Sequence, residues 1–372
     1  MNDALITINL VVLNGEKYVR HCLNSVKDQT HPHNRIELNI LDNGSVDSTK
    51  TIIKEMAGEF SDFLKFNLIE NDKNLGMWPG QEKLLEHSAG EYVIILSVDV
   101  ILDKDFVSNA VKAISKDEKI GAIQAKVYKY DLSDLENENY KIKTGGTIDT
   151  CGFQIFKSRR IINIGHGEKD NGPSFTKVSA GKQFDFNKEQ EIFAVEGAVP
   201  VFRKNALENC RIMGQSEGSR EAGIVSEIAD HDMFWYAEDL DVAWRMRLFG
   251  WKQLFVPDVI AWHDRQTTKN LSRTFSDFLK IRRRLSLQKR RLEWRNIRFT
   301  IIKNDYTINI LKDLPHILKR EIMMLGYIII FEPKILAEVP TFFRLLPRIL
   351  KKRGQIMKRR VAGPEEMRRW FI

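Results

Sequence analysis

The chain has 372 residues, 43% of them apolar, with 58 lysines and arginines against 50 aspartates and glutamates. That length and apolar content exclude a disordered chain and leave room for a large domain plus an appendage. The net charge of +8 is unevenly spread: residues 269–372 hold 26 basic and 9 acidic side chains, and residues 1–268 hold 32 and 41.

A tail of +17 joined to a body of −9 calls for an anionic partner: membrane lipid, nucleic acid or a phosphorylated substrate. The three cysteines, Cys22, Cys151 and Cys210, lack metal-ligand spacing and imply free thiols in a reducing compartment. No basic region precedes the short apolar run at the N-terminus, so no signal peptide is expected.

In chain order, Ile6–Leu13 reads as a first strand, followed by the turn Asn14-Gly15-Glu16 and helical spacing over Tyr18–Asp28. Ile36–Leu41 is the second strand. It ends in the polar turn Asp42–Thr49, which carries helix-capping residues ahead of the helical Lys50–Phe60. Leu64–Glu70 is a third strand, and Asn74-Leu75-Gly76 a turn. Pro79 stands where the first turn of a helix tolerates proline. Tyr92–Leu96 is a continuous apolar run suited to a strand buried on both faces, and it delivers Asp99 just past its end. Lys104–Ser115 follows as a helix. This alternation implies right-handed crossovers and a mainly parallel sheet covered on both faces, an α/β fold.

Residues 131–190 are polar and rich in glycine, and read as loops and short strands forming the wall of an acceptor site. Phe193–Phe202 is strand-like, and Arg211–Asp230 is a polar insertion. A helix is expected to begin near Asp239 and to end at Gly250. Trp251–Val256 and Val259–Trp262 then lead to His263. Beyond Asn270 the chain turns helical and basic over Phe275–Arg298. The apolar run Ile322–Phe331 is far shorter than the ~20 residues that cross a bilayer. With the amphipathic Phe342–Leu350 and the clusters Lys351–Arg353 and Lys358–Arg360, it fits an interfacial membrane anchor; a solvated helical bundle is the alternative. The expected domains are 1–268, catalytic, and 269–372, a basic helical region that associates with membrane.

Polar residues gather at strand ends and turns: Asn14 with Glu16, Asp42 with Asp47, Asp99, Glu238 with Asp239 and Asp241, and His263. Taken singly, each has a plain structural reading. Asp99 caps the next helix, Asp42 and Asp47 shape a turn, Asp241 pairs with Arg245 one helical turn on, and His263 is a satisfied buried histidine. Together they supply what a nucleotide-sugar transferase needs. One carboxylate binds base or ribose, another holds a metal against the leaving diphosphate, and a third takes a proton from the acceptor hydroxyl.

The segments V-V-L-N-G-E-K-Y-V-R-H-C-L-N-S-V-K-D-Q, L-D-N-G-S-V-D-S-T, N-L-G-M-W, G-E-Y-V-I-I-L-S-V-D-V, E-G-A-V-P-V-F-R-K and Y-A-E-D-L-D-V-A-W-R-M-R-L-F-G-W resemble, in this order, a family 2 glycosyltransferase of GT-A fold. Gly165-His166-Gly167, Asp170-Asn171-Gly172 and the later R-N-I-R-F-T-I-I-K-N-D resemble the bacterial rhamnosyltransferase-like branch.

The resemblance implies residue roles. Asn14 and Glu16 line the base pocket, Asp42 contacts base or ribose, and Asn74 and Gly76 shape the donor pocket near the diphosphate. Asp99 is the second acid of the D-x-D metal motif, with Ser97 in place of the first, and His263 is a further ligand to Mg2+ or Mn2+. Asp239 is the catalytic base, supported by Glu238. The implied activity is inverting sugar transfer, best matched by dTDP-L-rhamnose as donor, to a lipid-linked saccharide on the cytoplasmic face of a membrane. A non-catalytic donor-binding protein of the same fold stays open. So does a sugar nucleotidyltransferase, although Asn14–Lys17 lacks its Gly-rich basic loop. No nucleic-acid recognition motif accompanies the basic tail.

Overall fold

The computed structural model describes residues 4–135, 146–170, 175–178, 182–215, 224–265 and 275–372. The chain forms two compact units. One comprises Met1–Phe153, Asn163–Glu208 and Trp251–Gln266; the other comprises Gln154–Ile162, Asn209–Gly250 and Thr267–Ile372. The charge boundary at 268/269 lies outside the described residues, as do Asn171 and Gly172. Asn209–Gly250, expected in the first domain, belongs to the second unit.

In the first unit, β1 (Ile6–Val12), β2 (Ile36–Asp42), β3 (Lys65–Glu70) and β4 (Tyr92–Leu96) form the parallel core of one sheet, with β1 between β2 and β4. Helices α1 (Val19–Lys27), α2 (Thr49–Met56), α3 (Met77–Leu85) and α4 (Phe106–Ile114) are the connections that cover it. Every residue of β1, β2 and β4 is buried, as the continuous apolar run of β4 required; in β1 and β2 this includes the polar Thr7, Asn9, Glu37, Asn39 and Asp42. Asn9, Asn39 and Asn67 stand in register across β1, β2 and β3. Asn39 donates to Asn9 Oδ1 at 3.1 Å and Asn67 to Asn39 Oδ1 at 2.7 Å. This satisfied amide ladder is specific to one pairing and so pins the register.

The rest of the sheet completes the site. The three-residue β5 (Val100–Leu102) and β6 (Ile120–Lys129) follow β4, and β7 (Ile148–Thr150) pairs with β6. β8 (Val201–Arg203) runs antiparallel to both β4 and β6, which makes β6 parallel to β4. β6 escaped the sequence reading because Gln124 and Lys126 interrupt its apolar run. Both are buried and satisfied, Gln124 by the Glu196 amide and Lys126 by Asp170. The strand-like stretch Phe193–Phe202 is strand only at β8; Glu196–Val199 turns toward the sheet end instead.

The two segments expected on either side of Pro257 join into one strand, Lys252–His263, parallel to β6, with a register irregularity between Val256 and Ile260. Proline has no N–H for the ladder, so the strand bulges there without stopping. Because this strand runs with β1–β4, His263 lies at the same sheet edge as the carboxyl ends of those strands.

The second unit is helical with a hairpin. Ile212–Gln215 and Ile224–Glu227 pair antiparallel within what read as a polar insertion. Helix α5 (Glu238–Leu248) carries the acidic turn. The expected helix Phe275–Arg298 is two helices, α6 (Phe275–Arg284) and α7 (Leu287–Asn304). Ser286 causes the break: its hydroxyl accepts the Lys289 N–H at 3.1 Å and starts a new helix. Helices α8 (Leu314–Phe331) and α9 (Val339–Arg359) extend beyond the apolar segments that marked them. Phe299 of α7 stacks on Phe342 of α9 with ring centroids 5.0 Å apart, beside buried Leu345 and Ile349. Among the described residues no helix is long and apolar enough to cross a membrane.

Candidate functional site

At the carboxyl ends of β1, β2 and β3, three loops are tied together by their side chains. Asp42 is fully buried, and its Oδ1 accepts the amides of Gly44 at 3.1 Å and Ser45 at 3.0 Å. Its Oδ2 is buried without a hydrogen-bond partner among the described residues. Asn14, at φ 51°, accepts the Val46 amide through Oδ1 at 2.9 Å, and Ser45 Oγ accepts the Asn14 amide at 2.9 Å. Glu16 accepts the Ser48 amide at 3.1 Å, and Asp47 accepts the Glu16 amide at 3.2 Å. Asn43, next to Asp42, donates to Asn74 Oδ1 at 2.9 Å and to the Gly76 carbonyl at 3.1 Å. Gly76 adopts φ 95°, a conformation open to glycine. Asn14, Glu16, Asp42, Asn74 and Gly76 are therefore brought together in one cluster.

Asp99 extends that cluster along the sheet edge. A Cβ on Gly15 would lie 3.1 Å from Val98, so the first loop sits directly on the residue before Asp99. The Asp99 carboxylate is about one quarter exposed, and its Oδ2 is 3.3 Å from His263 Nε2. The other ring nitrogen, Nδ1, is 2.9 Å from Asp149 Oδ2. Burial alone would push the imidazole down. The hydrogen bonds and negative charges of Asp149 and Asp99 outweigh it and hold the ring up at about 9.

Asp149 itself is fully buried. Burial would raise its carboxyl, but bonds from His166 and His263 and the Arg265 cation hold it far below the usual range. Arg265 Nε donates to both Asp149 oxygens at 2.8 and 2.9 Å, and its Nη2 reaches Glu196 Oε1 at 2.7 Å. These partners were missed in the sequence. His166 stood in the quoted G-H-G segment without a role, and Arg265 lies two residues after His263. Glu196 opened the quoted E-G-A-V-P-V-F-R-K segment without a role, and Asp149 left no signal, because its bonds to His263 and Arg265 cross the sheet end.

Among the described residues no three His, Cys, Asp or Glu side chains gather as a metal cage. Asp99 and His263 stand as a pair. A carboxylate facing an imidazole whose other nitrogen is held by a second carboxylate could hold a divalent cation once that cation displaces the proton from His263 Nε2. The remaining positions would be filled by oxygen ligands from outside the protein.

The acidic turn lies in the second unit. Glu238 is buried at the start of α5, and its Oε2 has no hydrogen-bond partner among the described residues. Burial, reinforced by the charge of Asp239, pushes its carboxyl up to about 8. Asp239 is half-buried, and its Oδ1 accepts the Leu240 amide at 2.8 Å. Asp241 pairs with Arg245, as the spacing suggested, and with buried Lys303 at 2.9 Å; Asn304 donates to it at 2.7 Å. Asp241 is thus a core residue, held by Arg245, Lys303 and Asn304.

Residues 7–180 match the family model described as Glycosyl transferase family 2. The chain is 26% identical over 110 residues to glycosyltransferase AglE of Haloferax volcanii, covering 30% of this chain and 35% of that protein. It is 26% identical over 194 residues to a dolichyl N-acetyl-alpha-D-glucosaminyl phosphate 3-beta-D-2,3-diacetamido-2,3-dideoxy-beta-D-glucuronosyltransferase of Methanococcus voltae, covering 49% of this chain and 60% of that protein. It spans less than two thirds of the length of either relative. It also resembles the crystal structure of S. aureus TarS 1-349 in complex with UDP, with a TM-score of 0.50 and 14% identity, covering 98% of this chain and 90% of that one. That likeness is one of fold.

Proposed function

We propose, for a chain that carries family 2 glycosyltransferase sequence over residues 7–180 on a GT-A fold, that it is an inverting glycosyltransferase. The observation that carries this reading is Asp42. A carboxylate fixed by two backbone amides at the end of a parallel strand, with its second oxygen buried and unpartnered, is poised to accept hydrogen bonds from base or ribose. Asn14 and Glu16 flank the base, and Asn74 and Gly76 the diphosphate.

Asp99 and His263 would hold Mg2+ or Mn2+. Bound there, the cation neutralises the charge that develops on the leaving diphosphate. Asp239 accepts the proton of the acceptor hydroxyl as that oxygen bonds to the anomeric carbon. The bond from that carbon to the diphosphate breaks, and its electron pair leaves with the nucleotide. Attack from the opposite face inverts the centre. Glu238 supports the base. Its buried carboxyl stays protonated at neutral pH and so adds no second negative charge beside Asp239.

The finer reading takes dTDP-L-rhamnose as donor and a lipid-linked saccharide as acceptor, with the protein peripheral on the cytoplasmic face of a membrane. Helix α8 supports the last point. Leu318, Ile322, Leu325, Ile329 and Ile330 are exposed on it, Ile322 at 68% and Ile330 at 71%. Every acid between residues 306 and 360 is ion-paired: Asp313 to Arg159, Glu321 to Arg298, Glu332 to Arg282 and Glu338 to Arg295. Lys319 of the same helix, and Lys334, Arg344 and Lys351 in the segments after it, are exposed, and apolar and cationic side chains together suit anionic lipid.

The test is a panel of nucleotide sugars, each incubated with the chain and Mn2+ or Mg2+, with release of nucleoside diphosphate measured. Turnover of dTDP-L-rhamnose is expected. Turnover of another donor alone would correct the sugar, and neither binding nor turnover of any would sink the transferase reading.

A further inference from the structure

The loop in front of the candidate base is held against its own backbone preference. Phe234, Tyr236 and Ala237 have φ of 61°, 80° and 67°, left-handed values rare for any residue with a side chain. Such strain persists only where neighbours over-determine it. Here the neighbour is α7. The Asn296 carboxamide is fully buried, and its nitrogen donates to the carbonyls of Met233 at 2.9 Å, Trp235 at 2.8 Å and Tyr236 at 2.9 Å. Arg295 adds bonds to the Asp232 and Met233 carbonyls at 3.2 and 3.3 Å. These two residues open the R-N-I-R-F-T-I-I-K-N-D segment, which the donor site does not use.

The strained backbone places two large rings in solvent: Phe234 is 46% and Trp235 40% exposed. Burying them would be the default for a loop free to relax. The Lys289 ammonium, itself buried, lies 5.7 Å from the Trp235 ring centroid and 5.0 Å from that of Tyr236. A cation at that distance is attracted to the ring and restrains it, leaving its exposed area as a fixed surface. Asp239 follows four residues after Trp235. A sugar presents one face of C–H groups and a rim of hydroxyls, so it can stack on a ring while offering a hydroxyl to a nearby carboxylate.

We infer that Phe234 and Trp235 form the platform on which the acceptor saccharide stacks, with Asn296 as the residue that positions it. The inference rests on the transferase reading and deepens it by giving the acceptor its site.

Saturation-transfer NMR on the full chain tests this, with methyl α-L-rhamnopyranoside and methyl N-acetyl-β-D-glucosaminide as acceptor probes and UDP and dTDP as nucleotide probes. The wild-type chain transfers saturation to the C–H protons of at least one glycoside. Trp235→Ala removes the stacking ring and weakens that binding about 5- to 10-fold; Trp235→Phe keeps a smaller ring and weakens it less. Phe234→Ala gives an independent reading at the second ring. Asn296→Ala weakens glycoside binding as Trp235→Ala does, whereas nucleotide binding is unchanged in every variant. Unaltered glycoside binding in both ring variants overturns the platform, as does a wild-type chain that binds nucleotide but neither glycoside. A chain that binds a glycoside through Trp235 but no nucleotide keeps the platform and loses the transferase reading.

Discussion

His263 and Asp149 are joined by a 2.9 Å hydrogen bond from Nδ1 to a carboxylate with no solvent exposure. That bond decides which nitrogen of the ring faces Asp99. It also fixes the ring plane, since the Asp149 carboxylate is gripped on both oxygens by Arg265.

The first prediction concerns that grip. Asp99→Ala removes metal-dependent nucleotide binding. Asp149→Asn leaves Asp99 and His263 in place and weakens the apparent affinity for Mn2+ by about 10- to 100-fold, the usual cost of losing a carboxylate behind a ligating histidine. Calorimetric titration of Mn2+ in the presence of UDP reads both. Equal Mn2+ affinity in wild-type and Asp149→Asn protein would make Asp149 a packing residue.

Asp239→Asn keeps the size of the side chain but cannot take a proton. It lowers kcat by about 10²–10⁴ while nucleotide affinity and melting temperature stay near wild type. Transfer kinetics beside a nucleotide titration check this. A near-normal kcat would move the base to Glu238.

Glu238 makes stability depend on pH. Its folded carboxyl, raised to about 8 by burial and the Asp239 charge, lies above its unfolded value near 4.5. The stability it contributes is complete below about pH 4.5 and is lost as pH rises through about 8. Glu238→Gln cannot ionise, so its melting temperature gains on wild type between pH 5 and pH 8.5. Parallel melting curves across that range would show no widening gap if the carboxyl titrates normally.

The exposed face of α8 gives a fourth. Ile322→Glu with Ile330→Glu places two charges where solvent already reaches, so the fold is retained. Sedimentation with anionic vesicles falls at least tenfold, since each change removes apolar insertion and adds repulsion. Undiminished sedimentation would leave only the cationic residues as the attachment.

Gly90 tests the sheet. A Cβ there would come within 2.6 Å of the Thr7 backbone nitrogen, which cannot move without breaking the β1–β4 pairing. Gly90→Ala therefore costs about 1–3 kcal/mol, read as a fall in melting temperature. An unchanged melt would mean that β4 enters the sheet differently.

The parallel core was legible from residues alone. The unbroken apolar run of β4 can bury both faces only between helices, β1 and β2 are largely apolar beside it, and the polar turns after them mark the sheet edge where Asn14, Asp42 and Asp99 collect. Those signals are local, set by periodicity and by the needs of turns and caps. Tertiary structure decided what depends on distant pairing. β6 was hidden because its buried Gln124 and Lys126 find partners at Glu196 and Asp170, far along the chain. The break at Ser286 turned on a single capping hydroxyl outcompeting a continuous helical pattern. Asp149 became the anchor of His263 only when β7 met the end of strand Lys252–His263, 114 residues apart. Asn296 likewise acquired its hold on Met233–Tyr236 through a helix some 60 residues downstream. A hydrogen bond between such positions leaves no periodic trace, because its geometry exists only after the sheet and helices have packed.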